Sequence, residues 1–135
     1  MKVLLIQEGS SVVVRVPTPG ANIEQLAKAI PNSRVVDQAL LPTDREFRKA
    51  WTIFGTIDLE KAKDVWRDKI RVARDKKIKE LDIKWMKAME KGELTIAASI
   101  AADKQILRDL PAREEISRAT TLEELKSFWP SILEG

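Results

Sequence analysis

The chain has 135 residues, enough for one ordinary domain or two very small ones around a modest core. Its 24 Lys and Arg against 21 Asp and Glu leave a net charge of +3, a charge-dense surface that permits a nucleic-acid partner without implying one. Cys and His are both absent, which excludes disulfides, thiolate metal sites and Cys nucleophiles, and removes the ordinary near-neutral general base and the commonest metal ligand.

The opening, MKVLLIQEGSSVVVRVPTPG, carries Lys2 and an apolar run that stops after Ile6, too short for the core of a secretion signal. No stretch approaches the ~18 apolar residues of a membrane span. A soluble chain made in the cytoplasm, with no membrane partner, is expected. Residues 3–6 and 12–16 are β-branched and Leu-rich runs around a polar linker containing Gly9, the pattern of a hairpin. Pro17, Pro19 and Gly20 end the second run. Asn22 then suits an N-cap, with Ile23, Leu26, Ala27 and Ile30 at helical spacing before Pro31, and residues 34–37 suit a third strand. Residues 1–41 therefore predict a small ββαβ lobe. A lobe of that size buries too little apolar surface to stand alone, so it should lean on the rest of the chain or on a partner.

Residues 42–57 form a connecting segment. The LPTDREFRKAW stretch, residues 41–51, which starts at the last residue of the lobe, places Arg45, Phe47, Arg48 and Trp51 at the seam between the lobe and the helical region. From Asp58 the period changes: Leu59, Ala62, Trp66, Ile70, Ala73, Ile78, Leu81, Trp85, Ala88 and Met89 trace one stripe of a long helix, with Asp58 as N-cap and Gly92 as its stop. At ~1.5 Å per residue that helix would run on the order of 50 Å. In the next segment Ile96, Ile100, Leu107 and Leu110 recur at helical spacing, and Ala97, Ala98, Ala101 and Ala102 form a small face for close helix approach. The short connection at Gly92 and Glu93 predicts an antiparallel helical hairpin within residues 58–135, with Leu81 and Leu107 inward. Thr121 to Glu124 fits a capping box, and a short terminal helix should run from Leu122 to Trp129. The fold class is α+β.

Carboxylates on the long helix sit beside Lys or Arg, where pairing across one turn accounts for them, and no phosphate loop, nucleophile elbow or metal-ligand spacing occurs. No catalytic residue, metal or cofactor is assigned. Lys63, Arg67, Arg71 and Arg74 share a flank, but Glu60, Asp64, Asp68 and Asp75 are interleaved with them and would repel phosphate. A polar helix face, or a charged contact to a protein partner, is the better reading of this row. Trp66 and Trp85 lie on the apolar stripe and belong to the core; Trp51 and Trp129 stand beside chain breakers and are interface candidates, since Trp is enriched there.

The helix around Ile70, Arg71, Arg74, Asp75, Ile78 and Asp82, followed by Gln105, Leu107, Arg108, Asp109 and Pro111 on the second arm, resembles the tail assembly chaperones and tail-fibre assembly proteins of tailed bacteriophages. The likeness covers roughly residues 40–135. It implies a non-enzymatic protein that binds the tail fibre or a baseplate protein and assists folding, assembly or attachment. It also implies residence in the host cytoplasm during assembly, either leaving the finished fibre or staying in the virion as a structural component. Self-association and a small nucleic-acid-binding regulator are the other readings. Under the resemblance, the seam fixes the front lobe either to the hairpin or to the fibre, with Phe47 leaning to the internal role.

Overall fold

The computed structural model describes residues 1–43 and 45–134; Asp44, within the seam stretch, and Gly135 lie outside the described residues. The architecture is α+β, a small antiparallel sheet followed by a long helix, a second helix and short C-terminal helices. Two compact units can be distinguished, Met1–Val65 and Trp66–Gly135, so the division falls inside the long helix and residues 42–57 belong with the sheet.

In the first unit, β1 (Lys2–Glu8), β2 (Ser11–Arg15) and β3 (Ser33–Asp37) form a sheet of order β2-β1-β3, both pairings antiparallel. Gly9 supplies the positive φ of 60° that the tight turn between β1 and β2 requires. As the central strand β1 is covered on both faces, which is why consecutive Val3, Leu4 and Leu5 are all buried instead of alternating. Full burial of each is worth about 1.5–3 kcal/mol. Helix α1 (Ile23–Ala29) starts where the Asn22 side chain accepts from the backbone N–H groups of Glu24 and Gln25. It presents Ile23, Leu26 and Ala27 as its half-buried side. The Ser33 hydroxyl, which donates to the Ala27 and Ile30 carbonyls, ties α1 to the face that β3 shares with Ile6.

The opposite face carries Leu5, Val14 and Arg34 by register. Residues after β3 close over it. A side chain at Gly55 would meet Leu41 Cδ2 at 3.5 Å and Leu5 Cδ1 at 4.0 Å, and the Arg34 guanidinium lies 4.8 Å from the Phe54 ring centre. The small lobe thus gains its second layer from its own chain.

Helix α2 (Leu59–Glu90) is capped by Asp58, whose carboxylate accepts from the N–H groups of Glu60 and Lys61. The expected stripe is largely inward: Ala62, Trp66, Ile70 and Ala88 are buried, Ala73, Ile78, Leu81 and Trp85 half-buried, while Met89 is exposed. Gly92, at φ 71°, makes the turn into α3 (Leu94–Asp109), which folds back antiparallel. Lys104 on α3 pairs with Asp82 and sits 5.8 Å from the Trp85 ring centre on α2, fixing the hairpin's register. Of the expected alanine face, only Ala97 is buried; Ala98, Ala101 and Ala102 face solvent.

The second unit's core gathers Trp66, Ile70, Leu107, Leu110, Ile116, Ala119 and Leu125. A short helix α4 (Glu114–Arg118), not anticipated from periodicity, contributes Ile116. Helix α5 (Leu122–Ser127) ends two residues earlier than expected. Thr121 caps it by accepting from the Glu124 N–H, while the Glu124 carboxylate reaches back to the N–H and hydroxyl of Thr120. The chain beyond α5 returns to α2: Trp66 Nε1 donates to the Phe128 carbonyl at 2.9 Å, and Lys77 Nζ to the Glu134 carbonyl at 3.0 Å.

Candidate functional site: the seam pocket and the hairpin surface

The seam is built from a single 3-10 turn, Arg48–Ala50, followed by a tight loop in which Trp51 bridges Ile57. Thr52 N–H donates to the Thr56 carbonyl at 2.8 Å, and the two threonine hydroxyls meet at 2.7 Å. Gly55 occupies the left-handed position at φ 77° that lets the loop turn over Leu41 and Leu5. This geometry drives Phe47 and Ala50 to 0% exposure and Trp51 to 4%. Phe47 and Trp51 are therefore packed within the first unit, and as folded they offer little surface to a partner. Arg45 is exposed and Arg48 half-buried, its guanidinium 4.4 Å from the Trp51 ring centre.

Two adjoining hollows of about 310 and 350 Å³ open here. Gln38, Leu41, Arg45 and Trp51 line both; Val13, Val14 and Arg48 complete the first. Among the described residues no carboxylate contributes to either wall. The indole N–H of Trp51 is buried without a hydrogen-bond partner, the sole side-chain polar atom among the described residues in that state. A buried orphan donor of this kind costs about 1–3 kcal/mol.

The basic row on α2 is engaged inside the chain. Lys63 is buried and pairs with Glu60 at 3.1 Å; Arg67 donates to the Ser117 hydroxyl at 3.3 Å. Arg71 pairs with Asp68 at 2.6 Å and Arg74 with Asp75 at 3.0 Å. Trp129 is half-buried, edge-on to Trp66 with ring centres 5.8 Å apart. Arg67, Arg71 and Arg74 thus share one element of the second unit, whereas Arg45, Phe47, Arg48 and Trp51 are gathered in the first.

One surface was not assigned from the sequence. At 100° per residue, Val72, Ile83 and Met86 lie on the side of α2 opposite the buried stripe. They are 73%, 56% and 58% exposed. At the start of α3, Leu94 is also exposed, and so is Ile96, which the sequence placed on the apolar row of that helix. The available signal for Val72, Ile83 and Met86 was their departure from the α2 stripe. Among the described residues no helix is long and apolar enough to cross a membrane, and no carboxylate group is arranged to hold a metal ion. Comparison with family models, with curated proteins and with solved structures finds no match to this chain.

Proposed function

We propose that this chain is a non-enzymatic protein of bacteriophage tail assembly, which binds the tail fibre or another distal tail component and assists its folding, assembly or attachment. The similarity of residues 70–82 and 105–111 to the hairpin segments of tail assembly chaperones supports the phage context. The observation that carries protein binding is the pair Ile83 and Met86, three residues apart and exposed on the side of α2 turned away from the core. Exposed apolar residues three, four or seven apart on one helix side are the anchors through which a helix seats in a partner groove.

Co-expression with the fibre or baseplate protein encoded alongside it, followed by capture through a tag on this chain, tests the reading. Recovery of that partner supports it, and its absence under conditions where both proteins are folded overturns it. Mass spectrometry of purified particles then separates the two modes: absence of the chain marks an assembly factor that leaves, and a stoichiometric amount marks a virion component.

A further inference from the structure

We propose that the hollow walled by Arg45, Arg48 and Trp51 is a carboxylate site that takes an acidic side chain of a partner polypeptide. The charged groups on the walls are two guanidiniums, with no carboxylate among the described lining residues; Gln38 adds a neutral amide. Guanidinium forks match a planar carboxylate through paired hydrogen bonds. The remaining walls favour a protein side chain over a free inorganic anion. Val13, Val14, Leu41 and the Trp51 ring are apolar, suited to the methylene stem of a Glu. The Trp51 indole N–H is buried without a partner, and the Arg48 guanidinium lies 4.4 Å from the centre of the same ring.

This inference rests on the reading of the chain as a protein-binding one, and adds the chemistry of one contact. Titration of the full chain, followed by the indole N–H resonances in a nitrogen–proton correlation spectrum, tests it, with Trp51→Phe identifying the Trp51 signal. The probes are a capped peptide carrying Glu between apolar residues, the same peptide with Gln, acetate, and inorganic phosphate. The Glu peptide should move the Trp51 signal and saturate. Arg45→Ala should weaken it roughly tenfold or more, the usual consequence of removing one charged donor. Because Arg45 is exposed, that variant should keep the wild-type melting temperature, so a lost response is not lost folding.

Equal response to the Gln peptide, or an unchanged affinity in Arg45→Ala, overturns the carboxylate site. Phosphate or acetate binding more tightly than the Glu peptide overturns the assignment to a protein side chain. If the peptide fails while the fibre is still captured, the pocket proposal falls and the assembly reading stands. If the peptide binds but no fibre is captured, the outcome is reversed.

Discussion

At Trp51 the two roles expected of the seam can be weighed on one side chain. A residue at 4% exposure contributes mainly by filling the first unit, so Trp51→Ala should cost about 3–5 kcal/mol, and Phe47→Ala a similar amount. Trp51→Phe should cost markedly less, because it keeps most of the ring and removes the orphan donor. Chemical denaturation of the three variants checks the order; equal losses in Trp51→Ala and Trp51→Phe would mean that the indole N–H has a partner. The paired cations behave differently: Arg71→Ala should cost at most about 1 kcal/mol, since its partner Asp68 is largely exposed. The breakers around Trp51 suggested an interface, but the side chain turns inward. The reason is tertiary: Gly55 and the Trp51–Ile57 bridge fold the loop onto a sheet face that the lobe cannot otherwise cover. Neither spacing nor composition encodes that closure.

The elements were more legible than their edges. Asn22, Asp58 and Thr121 cap as their chemistry predicts, because a short oxygen-bearing side chain before an apolar run satisfies N–H groups that no helix can satisfy alone. The α2 stripe and the turn at Gly92 arise from periodicity in the same way. The alanine face of α3 misled, since small residues permit close approach without compelling it, and Ile116 on α4 was hidden in a segment too short to show a period. Leu107, fully buried, should lose about 2–5 kcal/mol as Leu107→Ala, whereas half-buried Leu81 should lose less. At α5, hydrogen bonds from the Thr120 N–H and hydroxyl hold the Glu124 carboxyl below the usual carboxylate range. A lowered folded value means stability that is present above the unfolded value and lost as pH falls through the folded one. The difference in melting temperature between wild type and Glu124→Gln should therefore be largest near neutral pH and shrink in acid. A pH-independent difference would show that the charge on Glu124 is not what secures the cap.

For the molecule as a whole, the class of the fold was legible in the sequence, while the surfaces proposed to bind a partner emerge only in three dimensions. The stripe that builds the second unit could be read directly, but Ile83 and Met86 acquire meaning only once the opposite side of α2 is seen to be buried. That second face carries the proposed function, and it can be altered without touching the core. Ile83→Glu with Met86→Glu exchanges exposed apolar side chains for charged ones, and an exposed surface change should leave stability within about 0.5 kcal/mol for each site. The deciding measurement is capture of the co-expressed tail fibre by wild type and by this double variant, with thermal denaturation of both run alongside. Wild type should retain the fibre and the variant should lose it at an unchanged melting temperature; undiminished capture by the variant would contradict a docking role for this face.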